Sequence, residues 1–139
     1  MRIGIDVDIL GLPNSYTGIP NYLRHLINAL TEIDQAAGCF YLLSRRQVYV
    51  SGDLPTNFPQ MVMRWPLSRG WQSVILPLAT FLHKLDLLHM PAFSIPNLSS
   101  CPVVVTVHDL AYLAHPECCP DETVNRSEEH TSELQSHHD

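Results

Sequence analysis

The sequence contains no Walker sequence, no GxGxxG, no GxSxG, and neither CxxC nor HxxxH spacing. Without these signatures, NTPase, ordinary dehydrogenase, serine-hydrolase and zinc-site readings lack the residues that would carry their chemistry. Long hydrophobic runs are also missing. The longest, Val74 to Leu82, is far short of the ~20 residues a membrane span needs and is interrupted by Pro77. Nothing at the start resembles a signal peptide, since Met1-Arg2 leads straight into a β-branched run. Cations are scarce: 8 Lys and Arg stand against 14 Asp and Glu, a net charge of -6. They form no basic stripe, so a nucleic-acid partner is not expected. Cys39, Cys101, Cys118 and Cys119 have no framework spacing and read as thiols of a reducing compartment, which makes a cytoplasmic location the expectation.

What is present is a globular composition. Hydrophobic residues make up 45% of the 139 and charged residues 16%, enough for one domain with a core. Ile3, Ile5 and Val7 alternate with Gly4, Asp6 and Asp8, predicting a first strand that ends at the turn-forming stretch Gly11 to Ser15. From about Gly18 the spacing becomes helical, with Tyr22, Leu23, Leu26, Ile27 and Leu30 on one face and Gly38 shortly after. Cys39 to Leu43 and then Val48 to Val50 predict a second strand, with a third near Met61 to Met63. Trp71, Val74, Ile75, Leu78, Leu82 and Leu85 predict a second helix, kinked at Pro77, and Asp86 to His89 a strand after it. Val103, Val104, Val105 and Val107 predict a central parallel strand, covered on both faces. Strand, helix, strand, helix, strand in that order predicts an α/β, doubly wound, Rossmann-like parallel sheet with right-handed crossovers.

Residues 126 to 139 differ in character. Leu134 is the lone aliphatic side chain between Arg126 and Ser136, so the segment cannot supply a core face. The string Arg126-Ser127-Glu128-Glu129-His130-Thr131-Ser132-Glu133-Leu134-Gln135-Ser136 resembles the translation of a common short-read sequencing adapter. The expectation is therefore a domain over 1–125 and an artefactual, disordered tail over 126–139, with no function assigned to the tail.

In an open parallel sheet ligands bind beyond the carboxyl ends of the strands, which makes the residues after each strand informative. After the first strand, Gly18 stands in Ser15-Tyr16-Thr17-Gly18-Ile19-Pro20-Asn21-Tyr22, where backbone N–H groups and a helix start suit an anion; a plain helix start is the alternative. After Leu87-Leu88, the run His89-Met90-Pro91-Ala92-Phe93-Ser94 places an imidazole and a hydroxyl at a strand end; the alternative is a histidine satisfied by loop backbone. After the valine-rich strand comes His108-Asp109, in which Asp109 either orients the imidazole or caps a following helix. His83, His89, His108, His115 and Asp109 could supply metal ligands by type, but they lack ligand spacing and no metal is expected.

The segments Met1-Arg2-Ile3-Gly4-Ile5-Asp6, Tyr16 to Tyr22, Asp86-Leu87-Leu88-His89-Met90-Pro91 and Val104-Val105-Thr106-Val107-His108-Asp109-Leu110 are together similar to the N-terminal domain of retaining glycosyltransferases of the GT-B architecture, family 4 group. The resemblance spans residues 1 to about 117. It implies a cytoplasmic hexosyltransferase, possible as a mannosyltransferase, of which this chain is the acceptor-side half and is inactive alone. It further implies a nucleotide-sugar donor as substrate, no cofactor, and a glycan or lipid-linked saccharide as acceptor. His108 would face the donor sugar, with Asp109 supporting it. Gly18 would lie near the donor diphosphate, and His89 and Ser94 would line the acceptor side. Pro20 departs from the family's loop, which often has a second glycine there, and offers no N–H to a phosphate. Many members touch the inner face of the membrane; Trp65 and Trp71 allow that contact here, with core packing as the simpler reading. The alternative to a transferase half is a stand-alone sugar- or nucleotide-binding Rossmann-like module without catalysis.

Overall fold

The computed structural model describes residues 1–13, 18–33, 38–50, 52–66, 70–92 and 94–108. Internal contacts divide the chain into two units, Met1–Thr106 and Val107–Asp139. Of the second, Val107 and His108 are described, and both are exposed. In the first unit, β1 (Arg2–Asp6) passes through a short 3-10 turn (Asp8–Gly11) before α1 (Ile19–Glu32). Strands β2 (Cys39–Ser44) and β3 (Gln60–Val62) follow, then a π-helical turn (Trp71–Ile75) running into α2 (Leu76–Leu82), and finally β4 (Leu87–Met90) and β5 (Val103–Val105). The sheet order is β3-β2-β1-β4-β5 and every pairing is parallel. This α/β arrangement is consistent with a Rossmann-like fold. The chain leaves β1 toward one edge and returns on its other side at β4, so the topological switch point lies between β1 and β4.

Adjacent residues of a strand face opposite sides, and β2 shows the consequence at Leu42 and Leu43. Leu42 packs with Ile5, Leu23 and Ile27 under α1, whereas Leu43 packs with Leu76, Ala79 and Leu88 under α2. Each helix covers its own face of the sheet. Gly4 lies at the centre of β1, on the α2 side. A Cβ there would meet Leu85 Cδ1 at 2.6 Å, with Leu43 and Leu88 Cδ1 both at 3.2 Å, so the missing side chain is what lets Leu85 close onto the sheet.

Three expectations are corrected. Val48 to Val50 is not a strand: the main chain of Asn57 and Pro59 already accepts from Phe40 and Leu42 of β2, and β3 (Gln60–Val62) pairs beyond. Val48 and Val50 are instead buried loop residues in the core under α1, beside the stacked rings of Phe40 and Phe58. The valine-rich β5 is the edge strand among the described residues rather than a central one, and Val104 is half exposed. The buried face of the second helix also differs. Trp71, Leu76, Ala79 and Thr80 are buried, while Val74, Leu78 and Leu82 are exposed. The π turn, in which Leu76 N–H donates to the Trp71 carbonyl, inserts an extra residue and shifts the phase of everything after it. Pro77 falls in the first turn of α2, directly after the π turn.

Helix α2 ends with Lys84 in the left-handed region at φ 49°. Leu85 N–H donates to the Thr80 carbonyl and Lys84 N–H to that of Phe81, a closing turn in which this position ordinarily favours glycine. Lys84→Gly is expected to raise stability by about 0.5–1 kcal/mol in urea unfolding, with the m-value unchanged. A loss of stability would show that the lysine stem contributes more packing than its backbone costs.

Candidate functional site

The carboxyl ends of β1, β2 and β4, together with the segment after β5, carry two groups of hydrogen-bonded polar side chains. On the α2 side, Asp6 closes β1. Its Oδ1 accepts from Asp8 N–H at 3.1 Å and from the Trp71 indole Nε1–H at 3.4 Å. Asp6 keeps part of its surface exposed, yet its carboxyl is surrounded by protein, and desolvation pushes its pKa up to about 6 from 3.8. The Asp8 charge raises it further, while the two hydrogen bonds and Arg45 pull it down; burial wins.

Two residues along, Asp8 is buried and grips Arg45, just past β2. Its Oδ1 accepts from Arg45 N–H at 2.8 Å, and its Oδ2 accepts from Nε at 2.8 Å and from Nη2 at 2.5 Å. This fork raises the Arg45 pKa above its already high value, chiefly through the hydrogen bonds that Arg45 donates to Asp8. The guanidinium stays charged, its charge balanced by Asp8, and the pair ties the ends of β1 and β2 together.

The α1 side carries a separate group. Ile5 pairs with His89, and His89 with Val104, so the imidazole stands on the face that α1 covers. His89 Nε2 lies 2.8 Å from Thr106 Oγ1, and the same hydroxyl lies 3.4 Å from Tyr22 OH, on the first turn of α1. A threonine hydroxyl donates once and accepts on its lone pairs, so it can serve both neighbours and reverse its polarity if His89 gains a proton.

The expected site residues are placed as follows. Gly18 is the N-cap of α1 at φ 59°, exposed, with open space where a Cβ would stand, and its carbonyl accepts from Tyr22 N–H at 3.1 Å. It thus lies one helical turn from Tyr22. Its backbone requires glycine for conformational reasons, and Pro20 follows in the first turn. His89 is half-buried and joined to Thr106. Ser94 is half-buried, its N–H donating to the Ala92 carbonyl at 2.7 Å. His108 is exposed and belongs to the second unit, and Asp109 lies outside the described residues. Trp71 is 3% exposed and is a core residue, so the core-packing reading is the one that holds for it. Among the described residues no group of three His, Cys, Asp or Glu side chains could hold a metal ion. No helix among them is long and apolar enough to cross a membrane.

Sequence reasoning missed Asp6, the Asp8–Arg45 pair, and Tyr22 and Thr106 as polar partners. The signal was there: the rule that singled out His89 and His108 as strand-end residues applies equally to Asp6-Val7-Asp8. Comparison with family models, curated proteins and solved structures finds no match to this chain.

Proposed function

We propose that residues 1 to about 125 are the acceptor-side half of a retaining glycosyltransferase that moves a hexosyl group from a nucleotide-sugar donor to a glycan or lipid-linked saccharide. One observation carries the reading. Three of the four segments that resemble the GT-B family meet at a single hydroxyl, where Thr106 Oγ1 joins His89 and Tyr22 beside the switch point at which open parallel sheets bind ligands. A carboxyl titrating near neutrality closes β1 on the other face. Such a group accepts from a sugar hydroxyl when ionised and donates to one when protonated.

On this reading His89 and Ser94 line the acceptor side, Gly18 lies near the donor diphosphate, and His108, supported by Asp109, contacts the donor sugar. The departing diphosphate needs cationic and backbone donors, together with exclusion of water by domain closure. On this reading those cations belong to a second domain. No metal or cofactor takes part. The acceptor side also allows contact with the inner face of a membrane, where lipid-linked saccharides reside.

The test is to sequence the source gene past the codon for Asn125 and assay the protein it encodes. The reading frame is expected to continue for roughly 200 residues or more into a second α/β domain. The complete product is expected to transfer labelled hexose from a nucleotide sugar. A natural stop after Asp139 would sink the transferase reading and leave a stand-alone sugar- or nucleotide-binding module.

A further inference from the structure

We infer that Thr106 is a positioning residue, whose hydroxyl fixes the His89 imidazole of β4 against Tyr22 of α1 and thereby sets how His89 meets a bound sugar hydroxyl. The inference deepens the transferase reading and rests on it only for the identity of the bound ligand. Its geometric basis is independent of that reading.

Thr106 follows β5, the edge strand of the described sheet, and its main chain is tied back to β4, since Thr106 N–H donates to the Met90 carbonyl at 2.9 Å. That bond holds the threonine in register beside the carboxyl end of β4. Its side chain then reaches His89 Nε2 at 2.8 Å, a short contact, and Tyr22 OH at 3.4 Å, a long one. Tyr22 belongs to α1, His89 to β4 and Thr106 to the segment after β5. One hydroxyl therefore joins three elements that are far apart in sequence. Valine at this position would keep the β-branched shape and the main-chain bond while removing the hydroxyl, which makes the contribution of the oxygen separable from that of packing.

The Thr106 oxygen serves either protonation state of the ring. It donates to Nε2 when that nitrogen is bare and accepts from it when protonated. Because hydrogen bonds to charged groups are the stronger, losing the hydroxyl harms the imidazolium more than the neutral ring. Thr106→Val is therefore expected to lower the titration midpoint of His89 by about one pH unit, a tenfold change in its protonation equilibrium. The ring nitrogen chemical shifts should change in the same variant. Thr106→Ser should restore both.

The experiment is NMR titration of His89 in the intact chain and its Thr106→Val, Thr106→Ser and Tyr22→Phe variants, followed by kinetics of the same variants in the parent enzyme. In Tyr22→Phe the His89 midpoint should move in the same direction as in Thr106→Val but by less, because the hydroxyl lost lies one bond further away. In the parent enzyme Thr106→Val should lower kcat/KM for the acceptor by about ten- to a hundredfold, with KM for the donor unchanged and Thr106→Ser recovering most of the loss. The inference is overturned if Thr106→Val leaves the His89 spectrum and midpoint unchanged, or if serine does not rescue them. Should Thr106→Val fail to fold, Tyr22→Phe and Thr106→Ser decide the matter by the same readout. A response of His89 in a parent enzyme that transfers no sugar would retain the positioning role and remove the transferase reading. Transfer activity without a response at His89 would do the reverse.

Discussion

Arg45→Ala is expected to destabilise the Met1–Thr106 unit by about 3 kcal/mol, because it strands a carboxylate that the fold has already taken out of water. The Asp8 and Arg45 side chains are 11% and 12% exposed, so solvent cannot replace the lost partner cheaply. One of the three hydrogen bonds to Asp8 comes from the main chain of residue 45 and survives the substitution, which holds the cost near the lower end for a broken buried pair. Replacing both residues together, Asp8→Leu with Arg45→Met, should recover most of the loss, since a buried pair gains little over apolar side chains of similar volume. Urea unfolding of Asp8→Leu, Arg45→Met and the double variant closes the cycle, with Arg45→Ala measured beside them. If Arg45→Ala costs less than about 1 kcal/mol, the pair behaves as a surface ion pair and the lock between β1 and β2 lies elsewhere.

Asp6→Asn should stabilise the protein at pH 7.5 by about 2–3 kcal/mol and do almost nothing at about pH 3. The sign follows from proton uptake. The Asp6 carboxyl titrates at about 6 in the fold and at 3.8 when unperturbed, so between those values the folded chain holds a proton that the unfolded chain has released. The stability that this protonation brings is fully present below pH 3.8 and is lost as the pH rises through 6. Asparagine keeps an oxygen to accept from Asp8 N–H and from Trp71 but carries no charge to desolvate. Chemical unfolding of both proteins across that window measures the difference directly. A variant that is less stable than the parent at pH 7.5 would mean that Asp6 is held as a carboxylate and that its hydrogen bonds outweigh its burial.

The strands and helices were legible where a single physical signal dominated. β-Branched alternation placed β1, the three- and four-residue spacing placed α1, and the apolar run at Asp86 to His89 placed β4 to within a residue. The failures are those of local periodicity meeting tertiary structure. No pattern in Trp71 to Leu85 announces the π turn, because one extra residue in a turn changes phase without changing composition. Val48 and Val50 carry strand propensity but lose the edge of β2 to Asn57 and Pro59, a competition decided in three dimensions. His89 and Gly18 were singled out because strand ends and glycine turns are visible in one dimension. Thr106 was invisible as a partner because its role depends on β5 lying beside β4 and on α1 crossing the same face.

The position of β1 in the middle of the sheet also governs when the protein can fold. β1 is synthesised first, yet one of its two neighbours is β4, and Arg2 meets Asp86 across a separation of 84 residues. At a ribosomal rate of roughly 5–20 residues per second, β1 therefore waits on the order of ten seconds with an open hydrogen-bonding edge. Until β4 emerges, the nascent chain presents the apolar residues of β1 and β2 to whatever else is nearby, and a holding chaperone has its longest opportunity in that interval.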